Sequence, residues 1–207
     1  MIRLYQSKTS SSSWRVRIAL ALKALSYESV WIDLAAGEHL AEPYARIAAT
    51  RQVPALETDG TILTQSVAII EYLDEVCVTP PLMPSGSLAR ARVRAVVELI
   101  NAGIQPMHNI AVRRRLAAQF SASDADGASW ARYWIETRFA ALDRLIAGCA
   151  GTFACGDEST MADVFLYPQV MASRQFSVEP AAFAAISKVM DRLAQIPAFR
   201  GSHPPEG

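Results

Sequence analysis

A run of serines, Ser10-Ser11-Ser12-Ser13, opens directly onto Trp14-Arg15-Val16-Arg17-Ile18-Ala19-Leu20-Ala21-Leu22-Lys23, an almost wholly apolar helical stretch. The first turn of a helix carries backbone N–H groups with no intrahelical partner, at the positive end of the helix dipole. Serine hydroxyls placed there either cap the helix or join those N–H groups in holding an anion. A thiolate is one such anion. A free thiol has a pKa near 8.5 and needs stabilisation of this kind to ionise at neutral pH. Two further stretches invite similar questions. Arg51-Gln52-Val53-Pro54 leads into a β-like run, where proline has no N–H for a ladder and the preceding bond is trans by default, cis in a minority of cases. Gln65-Ser66 stands between a second β-like run and an apolar helical stretch, so Ser66 either caps that helix or receives a carboxylate at its start.

These groups need elements to hold them. Short β-like and helical runs alternate up to about residue 78: Ile2–Tyr5, the Trp14–Leu25 helix, Glu28–Asp33, and a weakly periodic segment near 41–49. Ala55–Thr58 and Ile62–Thr64 then flank Asp59-Gly60, a strong hairpin signal. The helix after Ser66 carries Val67, Ile69, Ile70 and Leu73 on its apolar side. This βαβ-then-ββα order predicts a small mixed sheet with helices packed on it. The first helix, apolar nearly all round, is expected to be sandwiched. Thr79-Pro80-Pro81-Leu82-Met83-Pro84-Ser85-Gly86 reads as a linker. Beyond it the periodicity predicts long helices only, about 88–120, 129–147, 161–176 and 180–196. Domains over 1–79 and 87–207 follow. Thr160-x-x-Asp163 is a capping-box variant before an apolar helix, assigned to folding.

Composition excludes several classes. Twenty basic and twenty acidic residues cancel, which argues against nucleic acid or an anionic membrane as a partner. The apolar runs fall short of the roughly 18–20 residues that a membrane span needs. The chain starts straight into a strand with no signal-peptide pattern, so a cytoplasmic protein is expected. Cys77, Cys149 and Cys155 show no metal-like or Cys-x-x-Cys spacing and read as reduced thiols, with no metal implied.

With one substitution, the run Ser10–Lys23 resembles the signature of the zeta class of glutathione transferases, Ser-Ser-Cys-Ser-Trp-Arg-Val-Arg-Ile-Ala-Leu-Ala-Leu-Lys; the family's cysteine is Ser12 here. The resemblance implies an α/β thioredoxin-like N-terminal domain joined to an all-α C-terminal domain, glutathione as cofactor, and a homodimer. Ser10 matches the family's first serine and becomes the thiolate partner, with Ser11 second. Ser12, in the cysteine slot, can donate a hydrogen bond but cannot form a mixed disulfide. The matching proline of this family is cis, which would let Val53, beside Gln52, pair with the cysteinyl backbone of glutathione. Gln65-Ser66 matches the pair that holds the γ-glutamyl end.

Asn101-Ala102-Gly103-Ile104-Gln105-Pro106-Met107-His108-Asn109 resembles the family's Gly-Ile-Gln-Pro segment. Proline inside a helix kinks it, and Gln105 and Asn109 at i, i+4 are expected to share a face and reach the same cleft, where the resemblance implies that they join the glutathione-binding residues. His108 reads as a surface or capping histidine. Arg113-Arg114-Arg115 reads as a solvated face, one of which can lend charge to the cleft.

Two departures concern the second substrate. Thr9, after Lys8, stands where zeta-class isomerases carry an arginine before the first serine. Gln175 stands where they carry an arginine before a phenylalanine, with Arg174 one place earlier. A shift of one residue turns a side chain by about 100° on a helix, so Arg174 is no simple substitute. Lys8, Thr9, Arg174 and Gln175 are therefore the second-substrate candidates. The resemblance implies a cis–trans isomerase of the maleylacetoacetate type, in which glutathione thiolate adds reversibly to a conjugated cis double bond. Lowering a thiol pKa by about two units takes roughly 2.7 kcal/mol. The competing readings are a maleylpyruvate isomerase, a transferase conjugating small electrophiles, and a non-catalytic binding protein of the same fold.

Overall fold

The computed structural model describes residues 1–203 of the chain, which divides into two compact units. The first comprises Met1–Leu82 together with the segment from Ile196 onward; the second is Met83–Gln195.

The first unit is built on four strands, β1 (Arg3–Gln6), β2 (Glu28–Trp31), β3 (Ala55–Thr58) and β4 (Thr61–Thr64), in the order β2-β1-β3-β4. β1 runs parallel to β2 and antiparallel to β3, and β3 antiparallel to β4. The Asp59-Gly60 turn has positive φ at both residues, +49° and +76°, which is the conformation that makes this dipeptide a hairpin former. Alternation along the strands sorts side chains between two faces. Tyr5 and Ala55 pack with Tyr44 and Ala48 on one, while fully buried Leu4 and Leu56 point to the other.

Helix α1 (Ser11–Leu22) is buried along most of its length, as its all-round apolarity requires, and packs on α3 (Ser66–Val76). A short α2 (Glu42–Ala45) supplies Tyr44. Lys23, with no exposed side chain, pairs with Asp74 at 2.6 Å and donates to the carbonyls of Cys77 and Pro80. Asp74 also accepts from Leu82 N–H at 2.7 Å. These bonds carry the first unit past the expected boundary at 79, through much of the proline-rich stretch. The C-terminal segment returns to this unit as well. Arg17 Nε donates to the Ser202 carbonyl at 2.9 Å, and α10 (Pro197–Arg200) packs on α1. The division therefore differs at both ends from the 1–79 and 87–207 reading.

The second unit is all helical: α4 (Ser87–Glu98), α5 (Gln105–His108), α6 (Ile110–Phe120), α7 (Asp124–Ala147), α8 (Met161–Ser173) and α9 (Ala184–Leu193). Its core includes Val93, Val97, Ile100, Ile135, Phe139, Leu142, Phe165 and Leu193, all nearly or wholly buried. The single helix expected over 88–120 is instead three. A π-helical stretch, Leu99–Ile104, precedes Pro106, and the chain leaves helical geometry at Asn109 (φ −59°, ψ 143°). Proline removes one backbone donor there. Trp130 Nε1 then fixes the segment by donating to the Met107 carbonyl at 2.9 Å. The Thr160–Asp163 box forms as the sequence indicates. The Asp163 carboxylate accepts from Thr160 N–H at 2.8 Å and from Ala154 N–H at 2.9 Å. Among the described residues no helix is long and apolar enough to cross a membrane.

Candidate active site

Strand direction brings three of the motifs to one edge of the sheet. β1 ends where β3 begins, and β4 ends beside the start of β3, through the pairs Tyr5↔Ala55 and Ala55↔Thr64. The residues that leave the sheet there are the Lys8–Ser13 turn, Gln52-Val53-Pro54 and Gln65-Ser66.

The serines divide their work. Ser10 is the N-cap of α1 (φ −91°, ψ 113°), and its Oγ accepts from Ser13 N–H at 3.1 Å. A hydroxyl used as acceptor keeps its own proton to donate, and Ser10 O–H has no acceptor among the described residues. Ser11, buried, and Ser12, half-buried, occupy the first two helical positions, where N–H groups have no intrahelical partner. Ser13 turns away: its Oγ accepts from Ser7 N–H at 3.3 Å and latches the turn to β1. Lys8 and Thr9 are exposed.

Val53-Pro54 is a cis peptide bond, as the family resemblance implies and against the trans default. Val53 lies just outside β3, and its N–H and C=O make no backbone hydrogen bond among the described residues. Gln52 is exposed, and its carbonyl accepts from the Tyr44 hydroxyl at 2.7 Å. Burial pushes that phenol up from its ordinary pKa, so it remains a donor. The half-buried backbone at Val53 is thus free of ladder bonds and held from behind.

Ser66 departs from the reading of it as a cap. Gln65, exposed and at φ +71°, holds the N-cap position, Ser66 is the first helical residue, and no side chain caps the helix. The α3 N-terminus therefore keeps open N–H groups, as an anion site requires. Ser66 is buried, and its Oγ accepts from Arg15 Nη1 at 3.2 Å. Arg15, fully buried, is a residue that the sequence reading left without a role. The signal was present, since a charge in an otherwise apolar helix calls for partners. Arg17 is a second case: Nη1 donates to Gln6 Oε1 at 2.9 Å, and burial lowers its pKa to about 10.

The remaining candidates lie in the second unit. Gln105 begins α5, whereas Asn109 caps α6 through its side chain, accepting from Ala111 N–H at 2.9 Å. The expectation that they share a helix face is corrected, because the chain is not helical at Asn109. His108 is also corrected. It is buried, 2.9 Å from Gln169 Nε2 and packed on Phe176 with ring centroids 5.6 Å apart. Arg174 and Gln175 sit exposed on a 3₁₀ turn, Arg174–Phe176, with Arg174 Nε 4.0 Å from Glu179. Arg113, from the triple-arginine run, lies over the Phe176 ring at 5.2 Å, and its buried Nε has no partner among the described residues.

Taken by itself, the first-unit edge presents two helix N-termini and one backbone segment without ladder partners. That arrangement suits an anionic, peptide-like ligand. Comparisons with known proteins identify the family. The sequence model of the glutathione S-transferase N-terminal domain matches residues 9–76. Maleylacetoacetate isomerase of Rattus norvegicus is 40% identical over 203 residues, 97% of this chain and 91% of that protein. The holo structure of a maleylpyruvate isomerase, described as a bacterial zeta-class glutathione S-transferase, superposes with a TM-score of 0.94 at 36% identity, covering 98% of this chain and 96% of that one. Maleylacetoacetate isomerase from Anaeromyxobacter dehalogenans 2CP-1, with glutathione bound in its active site, gives 0.88 at 38% identity over 99% and 95% of the two chains. An α/β sheet domain of this topology, a helical second unit and identity of this extent over nearly the whole chain place the protein in the zeta-class glutathione transferase and maleylacetoacetate isomerase family.

Proposed function

We propose that this chain is a glutathione-dependent cis–trans isomerase acting on a small dicarboxylate of the maleylacetoacetate type. The observation that carries the reading is the meeting of Ser10, Val53 and the open α3 N-terminus at one sheet edge. The fit to glutathione rests on groups left unused by the fold: the Ser10 proton, the Val53 backbone pair and the uncapped α3 amides. When bound, glutathione supplies the thiolate that adds to and leaves a conjugated cis double bond, allowing rotation about it in between. Ser10 donates its hydroxyl proton toward the sulfur and, with the α1 amides at Ser11 and Ser12, favours the ionised thiol. Val53 offers N–H and C=O to the peptide backbone, with Gln52 held behind it by Tyr44. Gln65 and Ser66 take the γ-glutamyl carboxylate, Ser66 being oriented by Arg15.

For the second substrate, Lys8, Thr9, Arg174 and Gln175 remain the proposed contacts, and Gln105 and Asn109 are proposed for glutathione. Arg113 joins the second-substrate candidates as a part-buried cation beside Phe176. Developing negative charge on the substrate needs donors or a cation of this kind. Maleylpyruvate is the second reading, supported by the TM-score of 0.94 to a maleylpyruvate isomerase. A homodimer in the cytoplasm completes the proposal, and a monomer mass by light scattering at micromolar concentration would contradict the dimer.

The deciding experiment adds maleylacetone and, separately, maleylpyruvate to the purified protein with sub-stoichiometric glutathione. Many turnovers per glutathione with the thiol titre unchanged are expected. Stoichiometric loss of thiol would make the protein a conjugating transferase. Absence of glutathione binding by calorimetry at millimolar concentration would remove the whole reading.

A further inference from the structure

Cys149 and Cys155 flank the turn that joins α7 to α8, and both are free, part-exposed thiols. Their sulfurs lie 3.2 Å apart. The backbone holds them in place: Gly156 N–H donates to the Cys149 carbonyl at 2.9 Å, and Phe153 N–H to the Gly156 carbonyl at 2.9 Å. A disulfide bond is about 2.05 Å long, so closure asks for about 1 Å of approach between side chains on a turn that is already tied. Cys77, in the other unit, instead faces carbonyls, those of Lys23 and Thr79 at 4.0 and 3.7 Å.

We propose that Cys149 and Cys155 form an oxidation site for low-molecular-weight disulfides such as glutathione disulfide, which convert the pair to an intramolecular disulfide. Burial, and then the hydrogen bond with Cys149, push the Cys155 thiol up from its ordinary pKa, so Cys149 is the first nucleophile. Cys149 gives its proton to solvent, and its sulfur attacks one sulfur of glutathione disulfide. That S–S bond breaks, and the first glutathione leaves as thiolate and takes a proton. Cys155 then loses its proton and attacks the Cys149 sulfur, expelling the second glutathione. Two protein thiols are oxidised by two electrons, and one glutathione disulfide is reduced to two glutathione. The closed disulfide braces the turn that presents Ala154 N–H to the buried carboxylate of Asp163.

The site is tested on the full chain, equilibrated with graded ratios of glutathione disulfide to glutathione, acid-quenched, alkylated and digested with trypsin. Both cysteines fall in the peptide 145–174 and Cys77 in another, so Cys77 reports whether the oxidant acted. The expected product is that peptide lighter by two hydrogens, unalkylated and without glutathione, while Cys77 carries a glutathione. Two alkylated thiols in 145–174 when Cys77 is fully modified would overturn the site, as would one glutathione on each cysteine. Cys155→Ser is expected to trap glutathione on Cys149, and Cys149→Ser to leave Cys155 reduced; the reverse pattern overturns the order of attack. In a Cys77→Ser background, oxidation is expected to raise the thermal midpoint by several degrees, reversibly with reductant. An unchanged or lower midpoint would overturn the bracing.

Discussion

In the first unit the candidate residues leave the sheet at a single edge and, in the proposed reading, act largely through backbone. In the second, Gln105, Asn109 and the Arg174-Gln175 pair stand on separate helix ends and turns, and in the proposed reading act through side chains. Asn109 already spends its carboxamide oxygen on a cap, and Arg174 and Gln175 are exposed. The contrast teaches which kind of binding group tolerates change. A helix N-terminus or a free strand edge depends on where the chain turns, and many side chains keep that turn. A carboxylate clamp depends on one guanidinium in one direction, and a single-residue shift undoes it.

The largest effect is expected where a backbone-directed motif serves folding alone. Asp163→Ala leaves the buried N–H groups of Ala154 and Thr160 without their acceptor, at about 1–3 kcal/mol each. Urea denaturation is expected to show a stability loss of roughly 2–5 kcal/mol, with unchanged turnover per folded molecule. The loss also depends on pH. Burial raises the Asp163 carboxyl to about 6, so the folded state binds that proton more tightly than the unfolded state does. The stability from this group is full below the unfolded pKa of about 3.9 and is lost as pH rises through about 6. The difference between the two proteins should therefore shrink from pH 4 to 7; a constant difference would show that burial does not dominate at Asp163.

Next comes Ser10→Ala, which removes a hydrogen bond to a charged sulfur worth roughly 1.5–3 kcal/mol. Activity near neutral pH is expected to fall about ten- to a hundredfold and to recover partly in alkali, as free thiolate becomes available. The cap bond to Ser13 N–H adds a stability loss of about 1 kcal/mol. Ser10→Asp separates the two roles, since it keeps a good cap but has no proton to donate. Near-normal stability with lost activity is expected, and Ser12→Ala should do much less than either. Equal losses in Ser10→Ala and Ser12→Ala would move the thiolate partner to Ser11.

Much of the first half was legible because its signals are local. The Asp59-Gly60 hairpin, β3 over Ala55–Thr58, the serine run and Val53-Pro54 each lie within a few consecutive residues. The second half was not. Val93, Val96, Val97 and Ile100 keep a helical rhythm that runs into the π-helical stretch, and nothing in Asn109 itself announces a break. His108 reads as polar until Gln169, far along the chain, supplies its partner. The return of the C-terminal segment to the first unit is invisible in the same way, because the Arg17–Ser202 bond spans nearly the whole sequence.

Arg15→Leu asks whether the first half really tolerates change so long as the turn is kept. The substitution fills the space with apolar atoms but frees the Ser66 hydroxyl. If Ser66 must be oriented, the glutathione KM should rise about five- to twentyfold, equivalent to about 1–1.8 kcal/mol, with little change in kcat. A kcat loss of the same size would instead place Arg15 in thiolate activation, through the charge it lends to the start of α1.

The smallest effect is expected at Arg174, and it bears hardest on the contrast between the halves. Its guanidinium is about half exposed and 4.0 Å from Glu179, an arrangement worth little as an ion pair. A one-residue displacement from the family's arginine turns it by about 100° if the local geometry is helical, and the 3₁₀ turn over Arg174–Phe176 keeps it on the surface. Arg174→Ala is therefore expected to change the KM for either dicarboxylate by less than about twofold, below about 0.4 kcal/mol. Gln175→Arg restores the family's residue at its own position, and a fall in KM confined to that variant would identify position 175 as the one that faces substrate. A tenfold rise in KM for Arg174→Ala would mean that the displaced guanidinium does reach the carboxylate. The second half would then be as well built as the first, with its cation carried one residue earlier.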